Sequence, residues 1–236
     1  MKQAILLGAA LALSAPMAPA QMSGTFMIGP RYSNYATTID DIGSPSLKTG
    51  RQNAIGLVGG YRTGSFVLDF QYDSDSGNGI GISNLIADFG DYSRTRGEVT
   101  VGVSPIPGFD IHAGGRWESL RIGGATIFGN PVSTDLNVDH QAIVVGARAQ
   151  TASWRPFGWY LLGRGYLGSA KFDRAGFRVN SDTSGYRAET AVPVALGDSA
   201  WFVVPGLEFE RMRTQDSAVR WTTNRFFINF LHSSGR

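Results

Sequence analysis

The residues with the clearest potential for chemistry are a pair of carboxylates and three histidines. Asp73 and Asp75 share one face of an extended chain, and such a pair could orient a water molecule for nucleophilic attack. A hydrolase of this kind also needs a histidine beside a further carboxylate. Asp139 and His140 are adjacent and therefore point to opposite faces of a strand. The hydrolytic set is incomplete, and Asp73 and Asp75 are expected to begin a solvated loop.

The other histidines and the absence of cysteine restrict further chemistry. His112 lies in the middle of a predicted strand, where it would join a cluster of ion pairs. His140 could bind a cation with Asp135 or Asp139, but two or three ligands on a loop make a weak site. The sequence has no cysteine, which excludes thiol catalysis and cysteine-ligated metals. We predict no enzymatic activity, no metal and no cofactor.

The elements that carry these residues are strands. From Arg94 to Leu120, polar and apolar side chains alternate on both sides of a turn at Ser104–Gly108, and a period of two is the period of a β-strand. Each run lasts for about ten residues, longer than strands of soluble sheets and long enough to cross a bilayer when tilted. The pattern recurs along the chain and predicts an all-β, transmembrane, antiparallel up-and-down β-barrel.

About ten strands are predicted, with eight as an alternative. They are roughly Gly24–Thr38, Arg51–Arg62, Ser65–Asp73, Tyr92–Val103, Phe109–Leu120, Val138–Thr151, Phe157–Ala170, Gly185–Val194, Ala200–Arg213 and Val219–Leu231. Short turns alternate with longer polar or glycine-rich loops at Ile39–Gly50, Ser74–Asp91, Arg121–Asn137, Lys171–Ser184 and Thr214–Ala218. This rhythm is typical of outer-membrane barrels, with the turns in the periplasm and the loops outside the cell.

One parity of the predicted strands collects charged residues, which would face the barrel lumen. They are Asp69, Arg94, Arg96, Glu98, Asp110, His112, Arg116, Glu118, Arg148, Arg164, Arg187, Glu189, Glu208, Glu210 and Arg225. Arginine favours bidentate pairing with carboxylates, and a barrel of eight to ten strands has a bore that side chains can fill. We therefore predict a lumen ion-pair network, with the lining of a narrow passage as the alternative.

The opposite parity is apolar and would face lipid, with aromatic side chains near the two membrane interfaces. The predicted aromatic girdle consists of Phe66, Phe70, Tyr72, Phe109, Trp117, Trp159, Trp201 and Trp221. Phe109 and Trp117 lie eight residues apart on one face, roughly 26 Å along a strand, which approaches the spacing of two girdles once the strand is tilted.

The first twenty residues resemble a secretory leader. Lys2 supplies the positive charge, an apolar run follows, and Ala18–Ala20 forms a small-residue cleavage site, so residues 1–20 are predicted to be a signal peptide and residues 21–236 a single barrel domain. The balance of 21 basic and 19 acidic residues gives no charge excess typical of nucleic-acid binding.

These features resemble the small bacterial outer-membrane β-barrel proteins of the OmpA-barrel, OmpX and OmpW-like group. The leader, the alternation and the loop rhythm carry the resemblance, and Phe226, Ile228 and Phe230 alternate as in a closing strand. The resemblance implies insertion by the barrel-assembly machinery, contact with outer-membrane lipid and lipopolysaccharide, and a monomer. Omptin proteases are similar in strand number and have a paired-carboxylate site, of which this chain has only the Asp73 and Asp75 half.

The sequence thus predicts an outer-membrane barrel with a largely plugged lumen, acting as a structural or surface-interaction protein. A narrow porin-like channel is the alternative, and an omptin-like or lipid-modifying hydrolase is a third hypothesis. The segment Asp75–Asp91 contains more apolar residues than a solvated loop usually has. It is expected to fold over the barrel mouth as a short helix or lid, or to contact lipid or a partner.

Overall fold

The computed structural model describes residues 24–40, 47–48, 51–81, 87–127, 130–131, 136–151, 153–174, 177–215 and 219–234. The predicted signal peptide lies outside these ranges. Ten long strands form the barrel: β1 (Thr25–Asp40), β2 (Gln52–Thr63), β3 (Phe66–Gly81), β4 (Ala87–Ile106), β5 (Phe109–Ile127), β6 (Leu136–Gln150), β7 (Tyr160–Arg174), β8 (Phe177–Ala191), β9 (Trp201–Thr214) and β10 (Arg220–Ser234). Two-residue strands at Leu47–Lys48, Asn130–Pro131 and Val194–Ala195 pair with β1, β5 and β9.

Every long strand pairs with its neighbours in sequence, and the sheet closes on itself. All pairings are antiparallel, and β10 returns to pair with β1, for example at Tyr32 and Ile228. The predicted all-β barrel of ten antiparallel strands is therefore confirmed. Closure leaves no sheet edge with unpaired backbone groups, which is the condition for a β-structure to cross lipid.

The short connections lie at one end of the barrel, together with the beginning of β1 and the end of β10. Gly64 and Gly108 adopt positive φ angles of 55° and 81° in two of these turns, a conformation that favours glycine. In membrane barrels the short connections usually face the periplasm, so this end is called the periplasmic end and the opposite end the outer end.

Towards the outer end the strands are longer than the alternation predicted. β3 and β4 remain paired from Asp75 opposite Arg94 as far as Gly81 opposite Asp88, so the predicted short helix in this segment is wrong for the residues described. Residues 177–184, predicted as part of a loop, belong to β8. Continued ladder pairing satisfies backbone donors and acceptors that a loop would leave to solvent, and polar side chains do not prevent it.

The outward faces of the strands form an apolar belt. Large apolar side chains are exposed there, including Ile55, Leu161, Leu167 and Leu207, and Ile55 reaches 70% exposure. Apolar exposure that continues around the whole circumference is incompatible with water as the solvent and matches lipid. The chain is therefore a transmembrane barrel. No helix among the described residues is long and apolar enough to cross a membrane.

Most residues of the predicted aromatic girdle lie on this outward face. Phe66, Tyr72, Trp117, Trp159 and Trp201 are roughly half exposed, and Phe70 and Phe109 share their parity but are more covered. Trp221 differs from the prediction. It packs against an interior cluster of Ala142, Val144, Tyr166 and Met212, because it shares the inward parity of β10 with Thr223 and Arg225.

Candidate functional site

The barrel interior gathers many of the charged residues of the described chain. Every member of the predicted lumen set lies on the inward parity of its strand, and most of these side chains are buried. Asp69, Glu118 and Arg148 retain partial exposure at 18%, 10% and 15% of their side chains. A closed barrel brings them together because each strand points alternate residues into the same narrow space.

A central layer of ion pairs crosses the lumen. Arg96 Nη1 lies 2.8 Å from Glu208 Oε1, and its Nη2 lies 2.7 Å from Asp73 Oδ2. Arg116 binds Glu210 through two parallel hydrogen bonds of 2.5 and 2.8 Å. Since β4 and β5 stand opposite β9, these contacts connect distant walls of the barrel. Charge-assisted, two-point pairing of this kind is strong and directional.

Two further arginines complete the layer from β1 and β10. Arg31 Nη2 donates to Glu208 at 3.0 Å, and Arg225 Nη1 donates to Asp73 at 2.9 Å. The Arg31 guanidinium also lies over the Phe227 ring, 3.9 Å from its centroid. Stacking on aromatic faces lets a guanidinium lie flat against an apolar wall while its edges pair with carboxylates.

A second layer lies nearer the periplasmic end and centres on Glu98. Arg164 and Arg187 both donate to its carboxylate, and the Tyr166 hydroxyl donates to the same group at 3.1 Å. Arg164 Nε also donates to the His112 ring, whose Nε2 accepts at 3.1 Å. His112 therefore acts as a neutral acceptor within the ion-pair cluster in this arrangement.

The periplasmic end of the lumen holds a smaller cluster around Asp110. Arg62 and Arg148 both donate to this carboxylate, at 2.6 and 2.8 Å, and the Ser104 hydroxyl donates at 2.8 Å. Arg148 also contacts Asp69 at 3.2 Å. The chain of ion pairs thus extends from the central layer to the periplasmic turns.

The outer mouth carries a looser group of polar side chains. Arg94 Nε donates to Glu118 at 2.6 Å, and His140 Nε2 lies 3.0 Å from the Thr183 hydroxyl. Asp75 points inward here, while its outward neighbours Ser74 and Ser76 are polar and exposed, so it lies beyond the apolar belt. Burial raises the pKa of the Asp75 carboxyl to about 6, with partial compensation by Arg94.

One prediction about this region is wrong. Asp73 and Asp75 do not begin a solvated loop: they are 3% and 8% exposed and belong to the inward face of β3. Of the two carboxylates considered as cation ligands beside His140, Asp139 faces outward and Asp135 lies outside the described residues. Within the described ranges, no group of three or more histidine and carboxylate side chains is placed to hold a metal ion.

The periplasmic end also contains a cavity of about 380 Å³. Its wall includes Trp154, which comes from the segment joining β6 to β7 and folds inward. The indole stacks on Tyr160 with ring centroids 6.2 Å apart and meets Phe202 edge-on at 6.0 Å. Arg155 fixes this segment to the neighbouring turn by donating to the carbonyls of Gly197 and Ser199.

Sequence reasoning missed several residues that complete the interior. Arg31, Arg62, Trp154, Tyr160 and Tyr166 all contact the lumen groups described above. Arg31 could have been recognised, because it shares its parity with Ser33, Tyr35 and Thr37. Trp154 had no such signal, since it lies in a turn, where periodicity carries no information.

No protein-family model and no curated protein sequence matches the chain. Among solved structures, the outer-membrane protease OmpT of Escherichia coli is similar over 92% of this chain and 98% of its own, with 7% identity and a TM-score of 0.50. The translocator domain of the autotransporter NalP from Neisseria meningitidis gives 11% identity and a TM-score of 0.49, covering 97% and 95% of the two chains. The Neisserial surface protein NspA gives 15% and 0.42, covering 88% and 96%.

At these identities the similarity describes the fold alone. The fold shared with OmpT is that of an outer-membrane β-barrel, in agreement with the apolar belt. The chain is therefore an outer-membrane type of barrel, which supports a location in a bacterial outer membrane.

Proposed function

We propose that the protein is an outer-membrane barrel with a sealed lumen, which acts as a structural or surface-interaction protein through the outer ends of its hairpins. In this proposal it is inserted as a monomer by the barrel-assembly machinery and contacts outer-membrane lipid and lipopolysaccharide. The lumen then contributes rigidity to the barrel, while contact with the surroundings depends on the paired strands that extend beyond the apolar belt.

One observation carries this proposal: the central ion-pair layer is closed to water. Arg96, Arg116, Glu208 and Glu210 have between 0% and 3% of their surface exposed, although they lie in the middle of the bore. A conducting pore needs a continuous file of water, and the side chains that line it would be accessible to that water. Here opposite charges fill the cross-section in contact with each other.

A narrow channel is the second candidate, and the periplasmic cavity favours it. The cavity is lined as far inward as Arg31, Glu98 and Arg187, so only part of the barrel length is filled by the central layer. In this alternative, a rearrangement of arginine side chains in the central layer connects the cavity to the outer mouth.

The hydrolase hypothesis gains less support. Asp73 Oδ2 accepts hydrogen bonds from both Arg96 and Arg225, so this carboxylate is engaged as an ion-pair partner rather than available to orient a water molecule. Asp75 lies two residues further along β3, without a histidine among its described contacts.

Single-channel recording in a planar bilayer tests the proposal. The refolded wild type is expected to give no conductance steps, whereas the double variant R96A/R116A, which empties part of the central layer, is expected to conduct. The variant R178A removes an exposed arginine that pairs with Asp173 at the outer rim and should remain silent. Steady steps from folded wild-type protein would contradict the sealed lumen and support the channel.

A further inference from the structure

Three arginines form a cluster on the outward face of the barrel, at the outer ends of β9 and β10. Arg211, Arg213 and Arg220 all carry the outward parity, and Arg213 and Arg220 are exposed. The strand register places Arg213 directly opposite Arg220, and Arg211 opposite Thr222. Like charges at directly paired positions repel each other and destabilise a sheet unless an anion lies between them.

Acidic neighbours compensate this cluster only in part. Asp40 on β1 stands opposite Arg220. The exposed Asp182 on β8 lies two residues from Ser184, which is the partner of Arg213 in the strand register. No acidic residue directly opposes Arg211 or Arg213: Arg211 is flanked by Tyr186 and Thr222, and Arg213 by Ser184 and Arg220. The Arg213 Nε donates to the Ser184 hydroxyl at 3.1 Å, a hydrogen bond that does not use the two terminal nitrogens of the guanidinium.

Two basic residues elsewhere on the same rim each lie next to an acidic residue. Arg178 Nε lies 2.8 Å from Asp173, and Lys171 stands opposite Asp139 in the register of β6 and β7. In the β9–β10 cluster, by contrast, Arg213 and Arg220 face each other directly in register, and a third arginine, Arg211, lies one step away on the same face.

The cluster lies directly above the apolar belt. Arg211 follows Phe209 and Leu207 on the outward face of β9, with about 7 Å of strand between successive positions. Phe209 and Tyr186 are in ring contact at 6.0 Å, and Leu207 and Phe226 are paired in register and exposed at 60% and 43%. A ligand that contacts both surfaces must therefore carry an anionic head and an apolar tail.

We infer that Arg211, Arg213 and Arg220 bind the phosphate groups of an outer-leaflet glycolipid, lipopolysaccharide, whose acyl chains lie along Leu207, Phe209 and Phe226. Guanidinium groups recognise phosphate by two-point hydrogen bonding, and several of them around one phosphate also remove their mutual repulsion. The end of the barrel opposite the short turns faces the outer leaflet, where this lipid is found. The inference rests on the proposed outer-membrane location with this end outward. It does not depend on whether the lumen conducts.

Binding of bisphosphorylated lipid A to the refolded barrel in detergent micelles tests this inference. The triple variant R211Q/R213Q/R220Q is compared with R121Q/K171Q/R178Q, which removes the same number of positive charges from exposed outward positions on the same rim. We expect the first variant to lose at least tenfold in affinity and the second to stay within about twofold of the wild type. Dephosphorylated lipid A should bind the wild type as weakly as lipid A binds the first variant.

Each other outcome contradicts the inference. Equal affinity of all three proteins for lipid A would show that the cluster does not bind it. Equal losses of affinity in both variants would indicate general attraction by the net charge. If inorganic phosphate alone bound as tightly as lipid A, the site would belong to a free anion rather than to a lipid. Heat-modifiable electrophoretic mobility of each variant verifies that the barrel is folded before binding is measured.

Discussion

Arg116 on β5 and Glu210 on β9 form a two-point ion pair across the lumen, with both oxygens of the carboxylate bound by one guanidinium. Both residues are almost completely buried, and Arg116 also donates to Glu118 at 2.5 Å. The contact connects opposite walls of the barrel between residues that are 94 positions apart in the sequence. The contact can therefore form only when the two walls face each other across a closed barrel.

Replacement of Arg116 by alanine is expected to destabilise the barrel by about 3–5 kcal/mol. The substitution leaves Glu210 as a buried carboxylate without its two-point partner and removes one of the two arginines that pair with Glu118, which costs more than the loss of the pair itself. The measurement is the urea concentration at the midpoint of unfolding in lipid vesicles.

Two controls accompany this variant. R178A breaks an exposed pair with Asp173 and should change the free energy of unfolding by less than about 1 kcal/mol. The double variant R116M/E210L removes both charges together and should recover part of the loss. An R116A protein as stable as the wild type would show that the central layer does not stabilise the barrel.

Gly97 is expected to tolerate no side chain, because the Trp117 indole packs directly against its backbone. A Cβ atom at this position would overlap the Trp117 indole, which covers the outward face of β4 next to Gly97. The variant G97V should displace the ring, shift its fluorescence emission and lower stability by about 1–3 kcal/mol. At Gly115, one strand away on the same face, a Cβ meets nothing within 4 Å, so G115V should leave the emission unchanged.

Asp75 is expected to make the stability of the barrel depend on pH. Burial raises its pKa in the folded protein to about 6, above the usual value of 3.8, so the folded state binds the proton more tightly than the unfolded state. Its contribution is complete below about pH 4 and is lost as the pH rises through 6. Relative to the wild type, D75N should therefore gain up to about 3 kcal/mol at pH 8 and little at pH 4.

Chemical denaturation at pH 4, 6 and 8 measures this difference. The variant D173N provides a matched control, because Asp173 is an exposed carboxylate at the same rim. A gain for D75N that is independent of pH would contradict the assignment of the effect to ionisation of Asp75.

Trp154 is expected to stabilise the periplasmic end without controlling conduction. The variant W154A removes ring contacts to Tyr160 and Phe202 and should lower the free energy of unfolding by about 1–3 kcal/mol, whereas W154F retains an aromatic ring and should lose less. Both variants should remain silent in bilayer recordings, since the central layer lies further along the lumen. Conductance from W154A alone would make the inward-folded segment the barrier.

The sequence determined the fold class, a strand number of about ten with eight as the alternative, and the face on which most side chains lie. A period of two records which residues face lipid and which face the lumen, and for this reason residues such as Asp110, Arg164 and Ile111 could be assigned from the chain alone. The short glycine turns fixed which end carries the tight connections. These are local properties, and they do not depend on which strands meet across the barrel.

The tertiary structure decided what alternation cannot encode. Which arginine meets which carboxylate depends on barrel closure and strand register, so the pairing of Arg116 with Glu210 rather than with another carboxylate, and that of Arg31 with Glu208, could not be derived from spacing. The continuation of β3 and β4 beyond Asp75 depends on pairing between polar strands, which leaves no apolar signal. The inward fold of Trp154 depends on packing in a turn, where the period of two is interrupted. The direction of Trp221, in contrast, follows from the parity that it shares with Arg225, and only its contacts with the interior cluster required the tertiary structure.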